Sequence, residues 1–268
     1  MASPDANLSA GLTLNYTQNL SAQGDRFDAV LNGYGSLYRE RTALNVGVVE
    51  LAAGPSFDLG RFGADGASLG LYGLAGGALL HGTPYLVTAG AGVVLLGTVA
   101  DDMRLSLRGE YRHETYANSA ERPTASNGNG DRVRITAGIE HRLDENILFF
   151  AATSLERRAA QVDFASLWEA SVQGGVTVQY ASPIEALPLP WSATLAASLT
   201  TRLADGPDRL ISTQPETGQD FNFTLTNTMP LASDLALQAQ LGYRVSTSNY
   251  DTRRFNNLSA SLSLQKKF

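Results

Sequence analysis

From Leu8 onward the chain alternates apolar and polar residues in long runs separated by turn-forming residues, the period of extended strands that bury one face and wet the other. Leu8, Ala10, Leu12, Leu14 and Tyr16 oppose Ser9, Gly11, Thr13, Asn15 and Thr17. Phe27, Ala29 and Leu31 lead a second segment that ends near Arg39, and a third runs from Leu44 to about Leu59. In the third the phase shifts: Leu44, Val46 and Val48 are even-numbered, whereas Leu51, Ala53, Phe57 and Leu59 are odd. The pattern predicts a β-bulge near Val49 or Glu50. Segments from Ser68 to Leu80 and Pro84 to Val99 are rich in Gly and Ala and are joined by His81-Gly82-Thr83. Small residues on both faces predict tight curvature or the close approach of another group.

The middle of the chain is the most regular. Met103, Leu105, Leu107 and Tyr111 alternate with Arg104, Ser106, Arg108, Glu110 and Arg112. Val133, Ile135, Ala137 and Ile139 alternate with Arg132, Arg134, Thr136, Gly138 and Glu140. After the turn Leu143-Asp144-Glu145-Asn146, residues Ile147, Phe149 and Ala151 continue the apolar face. Further segments run from Trp168 to Tyr180, Trp191 to Thr201, Phe221 to Leu231 and Leu235 to Val245. The last, Phe255 to Phe268, sets Leu258, Ala260, Leu262, Leu264 and Phe268 against Asn257, Ser259, Ser261, Ser263, Gln265 and Lys267.

Strands of soluble sheets average about 5 to 6 residues, and many of these segments are about twice that. The expectation is an all-β fold, a transmembrane antiparallel β-barrel of 12 to 14 strands forming a single domain over residues 1–268. In such barrels short turns face the periplasm and longer loops face outward, which assigns Asn118 to Gly130, Ala204 to Gln219 and Ser246 to Arg254 to the outside. Thirteen segments are counted, while bacterial single-chain barrels have even numbers. Either the count is off by one, or the first strand of a 14-stranded barrel, running upward before Asp5, is missing from the sequence.

Composition permits this reading. The chain has 268 residues, 43% hydrophobic and 17% charged, with a mean hydropathy of -0.11. No apolar run approaches the ~20 residues a spanning helix needs, so a helical membrane protein is excluded. The absence of cysteine agrees with an envelope protein. A net charge of -6 without basic runs argues against nucleic acid as a partner. The start, MASPDANLSAG, lacks the basic and apolar regions of a signal peptide, as a mature form or a fragment would.

Candidate chemistry is sparse. Arg104, Arg108, Arg112, Arg132, Arg134, Arg142 and Arg158 share the polar parity with Glu110, Glu114, Glu140 and Glu156. They predict a lumen-facing charged wall, read either as a positive lining that biases passage toward anions or as a cross-strand salt ladder. Trp168, Tyr180, Trp191 and Tyr243 lie near segment ends, where they suit interfacial girdles or serve as ordinary β formers. Leu258, Leu262, Leu264 and Phe268 are expected to form the insertion signal read by the barrel-assembly machinery. Of the histidines, His113 and His141 fall on the apolar parity, and neither they nor His81 has a serine partner on a neighbouring strand. No metal-ligand spacing, phosphate loop or dinucleotide fingerprint occurs, so the expectation is neither enzyme nor cofactor-binding protein.

The runs GPSFDLGRFG at 54 to 63 and LGLYGLAGGALLHGTPYLVTAGAGVVLLGTVADDMRLSLRGEYRHETY at 69 to 116 resemble the carboxy-terminal barrel of the surface lipoprotein assembly modifier family. The likeness rests on a "GP-F" strand, a paired "Y" hairpin, an "E-R--Y" strand carried here by Glu110, Arg112 and Tyr116, and a "G-D" restart at Gly130 and Asp131. It implies a 14-stranded outer-membrane barrel, fused behind a periplasmic tetratricopeptide domain, that helps lipoproteins or other secreted proteins reach the cell surface. The periplasmic domain and the first strand have no counterpart in this sequence. Two alternatives stand beside that reading: a passive pore for small solutes, anionic ones among them, and an autotransporter-type translocator. Expected partners are outer-membrane lipids, the barrel-assembly machinery and a surface lipoprotein or secreted cargo.

Overall fold

The computed structural model describes residues 6–120 and 122–266. Among them thirteen strands form one sheet in which sequence neighbours are spatial neighbours throughout. They are β1 (Asn7–Asn19), β2 (Arg26–Tyr38), β3 (Val46–Asp58), β4 (Ala67–Leu80), β5 (Thr83–Ala100), β6 (Met103–Tyr116), β7 (Gly130–Arg142), β8 (Ile147–Ala160), β9 (Leu167–Tyr180), β10 (Trp191–Ala204), β11 (Thr217–Ala232), β12 (Leu235–Ser248) and β13 (Phe255–Lys266). The count of thirteen matches the alternation. Among the described residues β1 pairs with β2 alone and β13 with β12 alone, the two ends of the sheet order. Phe268 and the region before Asp5, on which two expectations rested, lie outside the described residues.

The sheet is inside out relative to a soluble one. Among the described residues the buried hydrophobics are Leu74, Trp191 and Tyr250, while Ser36, Ser56, Thr88, Glu114, Glu156, Ser166, Glu216 and Ser248 are buried. Leu8, Leu14, Val87, Ile135, Leu195 and Leu225 are among the many apolar side chains left open. Alternation explains this: each strand sends its apolar residues to one face, and that face has no protein cover.

The chain divides into two compact units, one of residues Met1–Gly97, Leu107–Ile135 and Glu156–Leu167, the other of Thr98–Ser106, Thr136–Leu155 and Trp168–Phe268. In the first, β2 and β3 pair without interruption from Arg26↔Ser56 to Ser36↔Val46. The bulge expected near Val49 or Glu50 is absent. Instead Val46 and Val48 sit on the polar face, opposite Ser36 and Tyr34, so the apparent phase shift is a patch of apolar residues on that face and not a change of register. The register does shift between Ala78 and Leu79, beside Pro84 on β5. The β3–β4 ladder also skips Gly54 and Pro55. Proline lacks the ladder N–H, which accounts for both. The His81-Gly82 turn between β4 and β5 has φ 51 and 78, the two positive angles of a tight hairpin turn. At the turn after β1, Arg61 and Ser21 bond the Asp25 carboxylate. Partial desolvation there would raise its pKa, but the Asp58 N–H, Arg61 and Ser21 outweigh this and hold it below the usual carboxylate range.

In the second unit Leu195, Leu225, Leu241 and Ala260 stand opposite one another across β10 to β13 on the apolar face. A register shift between Pro230 and Ala232 again falls at a proline. The strands overrun their predicted ends, which shortens the predicted loops to 205–216 and 249–254. Asn249 explains part of this, since its side chain accepts the Thr217 N–H and donates to the Pro215 carbonyl. Tyr250, 3% exposed, ties the two loops together: its hydroxyl donates to the Gln214 carbonyl at 2.8 Å and accepts the Asp208 N–H at 3.0 Å. Tyr250→Phe should loosen residues 205–216 by about 1 kcal/mol, read as faster hydrogen exchange there with the strands unchanged.

Candidate functional site on the polar face

Within the first unit the polar face of β3 to β6 is built around one arginine. Arg112 on β6 bonds Glu110 on its own strand through Nε at 2.5 Å and reaches Glu50 on β3. Tyr72 on β4 donates its hydroxyl to the other Glu110 oxygen at 3.0 Å, and Arg108 lies 6.0 Å from the Tyr72 ring centroid. These contacts skip strands. Tyr72 reaches Glu110 over β5, and Arg112 reaches Glu50 over both β4 and β5.

Flat strands lie about 4.8 Å apart, so β3 and β6 would be ~14 Å apart at the backbone. The span is closed by curvature, and curvature by missing side chains. A Cβ on Gly92 would fall 2.3 Å from the Tyr72 hydroxyl, one on Gly76 2.7 Å from the Val49 carbonyl, and one on Gly90 2.0 Å from the Tyr111 carbonyl. The glycine-rich strands are therefore the part of the sheet over which long side chains lie.

A second cluster in the same unit joins β6, β7 and β8. Arg132 lies 3.3 Å from Glu114 and 3.9 Å from Glu156, and Arg134 Nε bonds Glu156 at 2.5 Å. Arg158 stands 3.7 Å from Glu114, stacks 5.3 Å from the Tyr116 ring and donates to the Gly128 carbonyl at 3.3 Å. That last bond fastens the loop after β6 to β8. A Cβ on Gly130, where β7 begins at φ +156, would meet the Ala159 carbonyl at 1.9 Å, so the junction needs glycine.

Of the predicted wall, Arg108, Glu110, Arg112, Arg132, Arg134, Glu156 and Arg158 meet in these two clusters. Arg104, Glu140 and Arg142 belong to the other unit and are exposed. Of the four aromatics, Trp168 and Tyr243 are open, at 46% and 42% exposed. Trp191 is buried against Tyr180 in an edge contact, ring centroids 6.3 Å apart, and Tyr180 donates to Asn227. Leu258, Leu262 and Leu264 lie exposed on the apolar face of β13.

Sequence reasoning missed Glu50, Tyr72 and a third cluster in the second unit, where Arg202 bonds Glu169 at 2.9 Å and Arg244 bonds Asp220 at 2.8 Å. Glu50 was hidden by the supposed bulge. Parity counting extended to the last strands would have placed Arg202, Asp220 and Arg244 on the polar face. On the apolar side His113 Nδ1 lies 2.9 Å from Asp131 and His141 Nε2 3.1 Å from Asp102, each near a strand end.

An antiparallel sheet of 12- to 18-residue strands, bare on its apolar face and ion-paired on its polar face, is built for hydrocarbon on one side and water on the other. That defines a β-barrel protein of the bacterial outer membrane. No family model and no curated protein matches the sequence. Solved structures do match the fold. One is a bacterial polysaccharide outer membrane secretin, with a TM-score of 0.51 at 12% identity, covering 97% of this chain and 91% of that one. Another is OmpT, an outer membrane protein of Vibrio cholerae, in a form lacking loop L8, with a TM-score of 0.50 at 10% identity, covering 97% of this chain and 96% of that one.

Proposed function

We propose that this protein is an outer-membrane channel, not an enzyme, whose polar face passes small hydrophilic solutes with weak ionic preference. The observation that carries this reading is the neutralisation of the arginines: Arg112, Arg132, Arg134, Arg158, Arg202 and Arg244 all meet carboxylates. A lining of paired charges is polar enough to keep water yet exerts little net field on passing ions. Outer-membrane lipids cover the apolar face, and the barrel-assembly machinery recognises Leu258, Leu262 and Leu264 on β13.

The test is conductance in planar bilayers under a KCl gradient. Discrete steps with a cation-to-anion permeability ratio near one are expected, and the Arg104→Gln, Arg108→Gln pair should shift that ratio toward cations by about twofold. A membrane that stays silent at protein levels that insert would sink the channel reading.

A translocator for lipoproteins or secreted proteins, the activity implied by the resemblance to the surface lipoprotein assembly modifier family, is the second reading. What favours it is the pair of edges: every residue of β1 and β13 is exposed, and an open strand edge can template a client strand. Cross-linking from β1 or β13 to a co-expressed lipoprotein would support it, and its surface display unchanged by deleting the gene would count against it.

A further inference from the structure

We infer that the polar face of β2 to β6 holds a binding site for a small monocarboxylate with an apolar body. A cavity of about 340 Å³ lies there, within the range of small-ligand pockets. Its wall is out of keeping with a water-facing surface. Val30, Leu74, Val94 and Leu96 share the polar parity with Asp28, Tyr72 and Glu110, and all of them line the cavity. Four apolar side chains together beside Asp28, Glu50, Glu110 and Arg112 form a patch that an apolar group can dry.

The hydrogen-bond inventory of the rim then sets the sign of the ligand. Each carboxylate oxygen lining the cavity already accepts a bond: Asp28 from Thr17 and Arg26, Glu110 from Arg112 and Tyr72, Glu50 from Arg112 at both oxygens. The arginines keep spare donors. Arg26 uses its Nε–H on Asp28. Arg108 forms no ion pair with any described residue; it faces the Tyr72 ring and feels the Glu110 charge at longer range. A site with free guanidinium N–H groups and engaged carboxylates selects a ligand that brings acceptors and negative charge. The apolar wall selects one whose remainder is hydrocarbon. Benzoate combines the two, with its carboxylate on Arg108 and its ring on Leu74, Val94 and Leu96.

The site deepens the channel reading and rests on it for its purpose, since it would make that path selective for amphiphilic anions. Binding is nevertheless measured without a membrane. The full chain folded in detergent is titrated with sodium benzoate by isothermal calorimetry, with benzyl alcohol and acetate as controls. Saturable binding of one benzoate is expected, about tenfold tighter than either control. Arg108→Gln should weaken it at least about tenfold, Arg108→Lys should recover part of the loss, and Ala52→Phe, which fills the cavity without changing a charge, should abolish it. Circular dichroism confirms that each variant is folded. Equal affinity for benzyl alcohol, equal affinity for acetate, or benzoate binding that survives either Arg108→Gln or Ala52→Phe overturns the site. A chain that conducts but binds no benzoate overturns the site alone, and one that binds but does not conduct overturns the channel alone.

Discussion

Leu225→Arg is expected to cost about 2–4 kcal/mol of folding stability in a bilayer, while Thr226→Arg, one residue along the same strand, stays within about 1 kcal/mol. Leu225 lies mid-strand on β11, opposite Leu195 and Leu241 on the bare face. An arginine there has no partner and no water, and it stands too far from the strand ends to reach the interface without distorting the bilayer. Thr226 faces the other way, among Thr194 and Gln240, where a long cation meets polar side chains and solvent. Denaturant titrations of the protein folded into lipid vesicles measure both. Equal costs at the two positions would mean that the faces are wrongly assigned.

Arg112→Gln should destabilise the fold by about 2–3 kcal/mol, whereas the triple change Glu50→Gln, Glu110→Gln, Arg112→Gln should recover most of that loss. The arginine and Glu110 side chains are only 16% and 12% exposed, so removing the cation takes from two carboxylates the guanidinium that both of them bond, with only the more distant Arg108 left near Glu110. Glu50 keeps 30% of its side chain open, and that screening places the cost at the low end for a broken buried pair. Neutralising all three groups removes the uncompensated charge while keeping shape and hydrogen-bonding capacity. The same vesicle titrations apply. A triple variant no better than Arg112→Gln would show that the loss comes from packing and not from charge.

How much of this could be read from the sequence follows from the range of each interaction. Strand identity depends on nearest neighbours along the chain, and the alternation located all thirteen strands and most of their ends within a few residues, though it followed β8 only from Ile147 to Ala151 of a strand that reaches Ala160. Face assignment has the same range, and it set Arg112, Glu114, Arg132, Glu156 and Arg158 on one side. The partners of those charges were not legible, because Glu50 and Arg112 are separated by 62 residues and meet only over two intervening strands. Their meeting depends on how sharply the sheet bends at Gly76, Gly90 and Gly92, which alternation does not encode. The false bulge has the same origin. Val46 and Val48 on the polar face look like a slipped register when judged by hydropathy, and only the pairing with Tyr34 and Ser36 shows that the register is continuous. The cavity wall of Val30, Leu74, Val94 and Leu96 was hidden for a related reason: one or two exceptions on each of three strands form a patch only once the strands are paired.

The one-sided pairing of β1 has an energetic consequence. An edge strand of 13 residues directs about half of its N–H and C=O groups away from its single neighbour, roughly six of each. In water these groups would be hydrated at little cost. In hydrocarbon each would be worth several kcal/mol if left bare, a total that exceeds the ~5–15 kcal/mol net stability of an ordinary domain. The hydrogen-bond deficit of this strand therefore outweighs any single side-chain contact described above, and hydrocarbon drives its free side to take up a pairing strand.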